Sequence, residues 1–220
     1  MTLPSSSVTV TPSGSTAIAT HTVAGKEIQT VAIADESGHL AGSLPTYGLI
    51  TPPIAVGASK LYLDLFNASG SGKVMDVRGI WLIPKLDVAV TGAVSVRIDA
   101  YRTSAVGTGG STVAANSATV DVSTGTTWKF DESNADIPAQ ITARVAPTGG
   151  ATISRWLFPN NVASEESPTS MGYLTQWQNL VPSFMFGQKF TFREGQGLLL
   201  KQGTVASVGS VSIFVAFTLE

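Results

Sequence analysis

The chain has 220 residues, with 13 basic against 15 acidic side chains, a net charge of −2 and no cysteine. No basic block exists to neutralise phosphates, which excludes nucleic-acid binding as a main task, and disulfide or thiolate chemistry is excluded with the cysteines. Charged residues make up only 13% against 43% hydrophobic, where globular chains carry about 25% charge. The surface is therefore rich in Ser, Thr, Ala and Gly, and such a surface suits a protein covered by neighbours in an assembly; the plainer reading is a β-rich monomer.

Residues 1–22 are rich in Ser, Thr, Pro and Ala without core periodicity. Such a segment cannot offset the entropy of ordering by itself, so it is either disordered or an extended arm that orders on a partner. Its start lacks a basic stretch followed by an apolar run, as a secretory leader would have, and nothing approaches the ~20 apolar residues of a membrane helix. From Ile28 to Asp35 residues alternate as in a strand, ending at the turn sequence Asp35-Glu36-Ser37-Gly38. The connection from Leu44-Pro45-Thr46 through Thr51-Pro52-Pro53 carries prolines that argue against a central strand.

Lys60–Phe66 reads as a strand with Leu61, Leu63 and Leu65 on one face. A Gly/Ser turn over Asn67–Gly72 and a second strand from Lys73 to Ile83, broken by Pro84, predict an antiparallel hairpin. Ala93–Arg102 alternates again, with Val94, Val96, Ile98 and Ala100 inward and Ser95, Arg97, Asp99 and Tyr101 outward. A glycine-rich loop, Thr103–Ser111, follows, then short strands at Ala118–Val122, Thr126–Phe130 and Ile137–Val145. Residues 146–187 form an irregular, aromatic-rich connection in which a short helix near Gly172–Leu180 is compatible with the sequence; so long an aperiodic stretch reads as a functional or contact loop. Strands resume at Lys189–Phe192 and Gly197–Lys201.

The last strand alternates without a slip: Val211, Ile213, Val215, Phe217 and Leu219 on one face, Ser210, Ser212, Ala216 and Thr218 on the other. Phe214 interrupts the polar face, which predicts that this face meets another subunit rather than water. Many short strands, Gly/Pro-rich turns and no long amphipathic helix predict an all-β fold. The expectation is an antiparallel, jelly-roll-like β-sandwich over 23–220 with an extended N-terminal arm over 1–22.

Catalytic and metal constellations are missing from the sequence. His21 and His39 lie in or near connections with no nucleophile motif beside them, and no zinc spacing exists. Gly70-Ser71-Gly72-Lys73 lacks the earlier glycine and the following Ser/Thr of a phosphate loop. Asp131–Asp136 lacks the glycine and terminal glutamate of a calcium loop, and Glu165-Glu166 reads as a solvated pair. Asn67-Ala68-Ser69 is a glycosylation sequon by letter alone, with no secretory leader to give it meaning. The expectation is a non-enzyme without cofactor or metal. Trp156, Tyr173 and Trp177 admit two readings: stacking platforms for sugar rings, or plugs and interface aromatics.

Three segments in order resemble a loose group of tailed-bacteriophage virion structural proteins. They are Val23–Gly38 with Gln29, Val31 and Asp35; Leu61–Leu82 with Asn67-Ala68-Ser69-Gly70-Ser71-Gly72-Lys73, continued by Arg102–Ser111; and the C-terminal block with Glu194-Gly195-Gln196-Gly197-Leu198 and the closing strand. Residues 146–187 depart from the pattern. The resemblance implies a non-enzymatic virion component assembled in the host cytoplasm: a capsid decoration protein, a head-fibre base or a tail-associated adhesin. It implies a homotrimer, partnered by the major capsid protein or another virion protein, with no nucleic acid and no membrane. Attachment by addition to a neighbour's sheet edge would use either the Ser/Thr/Pro arm or the Ile28–Asp35 strand with Gln29, Val31 and Ile33, with Phe214 at a subunit contact.

Overall fold

The computed structural model describes residues 20–23, 26–29, 44–85, 93–117, 123–165, 178–179, 190–207 and 209–220. Residues 1–19 of the expected arm, Val31, Ile33, Glu166, Tyr173, Trp177 and the strand expected at Ala118–Val122 lie outside the described residues. The chain divides into two compact units, Met1–Ser43 and Leu44–Glu220. In the first, β1 (Thr20–Val23) and β2 (Lys26–Gln29) pair antiparallel with Thr20 opposite Gln29.

The second unit is an all-β sandwich. Its strands are β3 (Thr46–Ile50), β4 (Ile54–Ala55), β5 (Leu61–Asn67), β6 (Met75–Lys85), β7 (Ala93–Ala105), β8 (Ser111–Thr112) and β9 (Thr126–Lys129). They continue with β10 (Ile141–Val145), β11 (Thr152–Glu165), β12 (Gln178–Asn179), β13 (Phe190–Phe192), β14 (Gln196–Gln202) and β15 (Ser210–Leu219). One sheet runs β11-β7-β14-β5-β10-β8; the other runs β12-β6-β15-β3-β9, with β13 on β6 and β4 on β15. All pairs of these strands are antiparallel.

The core lies between the sheets. From one side come Leu63, Leu65, Ile98, Ala100, Ala143, Leu198 and Leu200; from the other Leu49, Val77, Ile80 and Leu82 with Val211, Ile213, Val215, Phe217 and Leu219 of β15. The alternation read in the last strand is this inward face. Each Val, Leu, Ile or Phe among them contributes about 1.5–3 kcal/mol by leaving water. Tyr47 stacks on Phe217 at 5.6 Å. The buried Tyr62 hydroxyl donates to Gln202 Oε1, which also accepts the Gly57 N–H at 2.9 Å, and burial pushes the Tyr62 phenol up to about 12.

Three local expectations are corrected. β5 and β6 are not a hairpin: β5 pairs with β10 and β14, whereas β6 pairs with β12, β13 and β15 in the other sheet. The Gly/Ser link between them is an arch from one layer to the other, with Gly70 and Gly72 at φ 85° and 65°. The proline-flanked segment does hold an interior strand, since β3 pairs on both sides, with β15 and β9; Pro45 and Pro52 sit just outside it and take no ladder position. Finally, part of the connection expected to be irregular is the 14-residue strand β11. Its register shifts at Thr152/Ile153, Ile153/Arg155 and Trp156/Phe158 break the period of two, and its edge position tolerates Pro159. Within the stretch compatible with a helix, Gln178–Asn179 pair as strand.

Candidate functional site

The outward face of β15 carries a strip of aromatic rings that spans four strands. Strand alternation turns Ser212, Phe214, Ala216 and Thr218 away from the core. Register then sets Phe214 opposite Trp81 on β6 and Ile50 on β3, and Ala216 opposite Gly79 and Gly48; Gly48 in turn faces Trp128 on β9. The Trp81 and Phe214 rings stack at 5.2 Å and 30°. Those of Trp128 and Phe214 stack at 5.7 Å and 20°, and Phe130 tilts against Trp128 at 6.1 Å.

The glycines make this possible. A Cβ at Gly48 would lie 2.5 Å from Trp128 Cζ2, and one at Gly79 would collide with Trp81 Cη2. Gly79, Ala216 and Gly48 form a row of small residues over which both indoles lie down, a known way for rings to cover glycine in a sheet. Ring pairs of this kind contribute about 0.5–1.5 kcal/mol beyond area burial. Trp81, Phe214 and Trp128 stay half-buried, and Phe130 is 57% exposed. Among the described residues, charge flanks the strip: Arg78 Nε donates to Thr218 Oγ1 at 3.2 Å, and Lys129, between Trp128 and Phe130 in the chain, pairs with Asp136 at 3.1 Å. An apolar centre with a polar margin is the anatomy of a protein interface.

Phe214, singled out in the sequence, is at the middle of this strip and is contacted by rings of its own chain on two sides, yet retains partial exposure. Gln29 is paired with Thr20 in the first unit. Trp156 is 49% exposed and stands opposite Tyr101 on the other sheet, away from the strip. Sequence reading missed Trp81, Trp128, Phe130 and the glycines under them. The available signal was Gly79 two residues before Trp81 on one strand face, since a strand glycine often marks a close approach.

Other polar groups serve the fold. The glycine-rich arch once compared with a phosphate loop is occupied by the chain's own carboxylate: Glu194 accepts the N–H of Gly70 at 3.1 Å and of Gly72 at 2.7 Å. These two bonds hold the Glu194 carboxyl below the usual carboxylate range. Asp131 accepts both the N–H and hydroxyl of Ser133, at 2.9 and 2.7 Å, and is lowered by them. On the six-stranded sheet, buried Asp64 accepts the Gly107 N–H and so ties down the loop of Gly107, Gly109 and Gly110. Burial raises the Asp64 carboxyl, against the pull of Gly107 and Arg144. Among the described residues, no three His, Cys, Asp or Glu side chains converge as metal ligands.

No known protein family, curated protein or solved structure matches the chain.

Proposed function

We propose that the chain is a non-enzymatic structural component of a bacteriophage particle. It decorates or stabilises the capsid exterior, as a homotrimer, through contacts with the major capsid protein or another virion protein. The observation that carries this reading is the Trp81–Phe214–Trp128–Phe130 strip on the outside of a rigid sandwich. Interface energy concentrates in aromatic anchors of this kind, and the sparse charge of the chain suits a surface covered by neighbours. Many copies, each burying a modest strip, hold by avidity. The ordered resemblance to virion proteins supports the same reading. Its test is co-sedimentation of the purified chain with particles lacking it: the chain binds, and Phe130→Ser, at an exposed ring, lowers occupancy without lowering the melting temperature. A chain that stays in the supernatant overturns the reading.

A second reading, a tail-associated receptor- or glycan-binding protein, draws on a different observation, the exposure of Trp156.

A further inference from the structure

Two guanidiniums stand as neighbours at the edge of the six-stranded sheet. Register sets Arg155 of β11 directly opposite Arg102 of β7, and β11 pairs with β7 alone among the described strands. Arg102 is held in place: its guanidinium lies 4.7 Å from the centroid of the Phe192 ring, and its Nη1 donates to the Thr191 carbonyl at 2.8 Å and to Gln196 Oε1 at 2.7 Å. Both acceptors are neutral. Arg155 is exposed. Among the described residues neither guanidinium meets a carboxylate, whereas Arg97 and Lys129 have Asp99 and Asp136 at 2.9 and 3.1 Å. Burial, and after it the charge of Arg155, lower the Arg102 pKa. Like charges directly opposite across a strand pair destabilise it, so this pair weakens the sheet as it stands.

We propose that Arg102 and Arg155 form a carboxylate-binding site, which receives an Asp or Glu side chain from an acidic segment of a partner protein. A carboxylate offers two oxygens with several acceptor positions, enough to bridge two planar guanidiniums, and such charge-assisted bonds are roughly twice as strong as neutral ones. Both hydrogen bonds of Arg102 among the described residues leave through Nη1, so Nε and Nη2 remain for the ligand. Stacking on Phe192 fixes the guanidinium before any partner arrives, which reduces the ordering cost of binding. The bound carboxylate also relieves the repulsion between the two arginines. A protein segment suits the site better than a phosphate polymer or a lipid surface. Those are held by broad fields of cations, and this chain has 13 basic against 15 acidic residues. Ile153 and Trp156, 42% and 49% exposed, flank Arg155 in the chain and supply apolar contact for a peptide. Register shifts at Ile153/Arg155 and Trp156/Phe158 interrupt the ladder of β11, so the segment is held by side chains rather than added as a further strand. The site belongs to the other sheet from the aromatic strip and stands without the particle-binding reading.

The test follows the arginine Nε–H resonances of the isotopically labelled full chain by NMR during titration with end-capped tetraglutamate, end-capped tetraglutamine and inorganic phosphate. Tetraglutamate shifts the Arg102 and Arg155 signals along a saturable curve and leaves Arg97, whose Nε is taken by Asp99, in place; tetraglutamine shifts neither. Arg155→Gln weakens tetraglutamate binding at least about tenfold, a loss of about 1.4 kcal/mol. Arg155→Lys, which keeps the charge without the planar fork, recovers little of it. Without peptide, Arg155→Gln melts above wild type, because Arg102 no longer faces a like charge. No saturable shift, phosphate binding more tightly than tetraglutamate, Arg155→Gln binding as wild type, or Arg155→Gln melting below wild type each overturn the proposal.

Discussion

The carboxylate of Glu194 accepts the backbone N–H of Gly72 at 2.7 Å, across 122 positions of sequence. The bond joins the arch between β5 and β6 to the turn that opens β14. Asn67 completes the joint: its Nδ2 donates to the carbonyls of Lys73 and Phe192, at 2.8 and 3.2 Å, and its backbone carbonyl accepts the Gly195 N–H at 2.7 Å. Two segments far apart in the sequence are thus one structure, in which a glycine arch, an amide and a glutamate fix where the chain changes layers.

Glu194 gives the joint an acid dependence. Its folded pKa is depressed, by Gly70 first and Gly72 second. The stabilisation is therefore fully present above the unfolded carboxyl value of ~4.3 and is lost as pH falls through the lower folded value. Glu194→Gln melts below wild type at pH 7, and the gap closes on acidification. Thermal melts from pH 7 to pH 2.5 check this; a gap independent of pH contradicts it.

Asp64 has the opposite sign. Burial raises its folded pKa, so its contribution to stability is largest at low pH and declines as pH rises from the unfolded carboxyl value through the folded one. Asp64→Asn, uncharged and still able to accept the Gly107 N–H, gains on wild type as pH rises from 3 to 7. Asp64→Ala leaves the buried Gly107 N–H without its acceptor, costs about 1–3 kcal/mol, and admits protease at the loop of Gly107–Gly110. Denaturant titrations at both pH values and limited proteolysis read these outcomes.

Gly48→Ala and Gly79→Ala push a methyl group into the Trp128 and Trp81 rings. Each is expected to destabilise by about 1–3 kcal/mol and to shift tryptophan fluorescence as the displaced indole meets water. Gly149→Ala, whose Cβ has open space around it, stays within ~0.5 kcal/mol of wild type. Equal effects at all three positions would contradict the packing described for the strip.

The legible parts of the fold were those where a strand's phase survives intact. β15 was readable residue by residue because its inward positions are all apolar, and β5 and β7 were readable in the same way, whereas β14, with Leu198, Leu199 and Leu200 all buried, was legible as a strand but not in its phase. The arch was misread because adjacency in sequence was taken for pairing, although two neighbouring strands of a sandwich can lie in different layers. β3 was hidden by prolines that bracket it, and β11 by bulges that shift its phase. The aromatic strip was out of reach for another reason. Trp81 and Trp128 lie on strands that only β15 and β3 bring together, so the strip exists in register rather than in any local pattern. Phe214 alone announced it, as a large apolar side chain on an otherwise small and polar face.

We propose that the strip of Trp81, Phe214, Trp128 and Phe130 is where this protein meets a phage particle. Electron cryomicroscopy of particles carrying the chain tests it most directly. The account predicts the sandwich on the outer capsid shell, with these four rings buried against a neighbouring subunit. Particles without the chain, or with the strip turned to solvent, would contradict it.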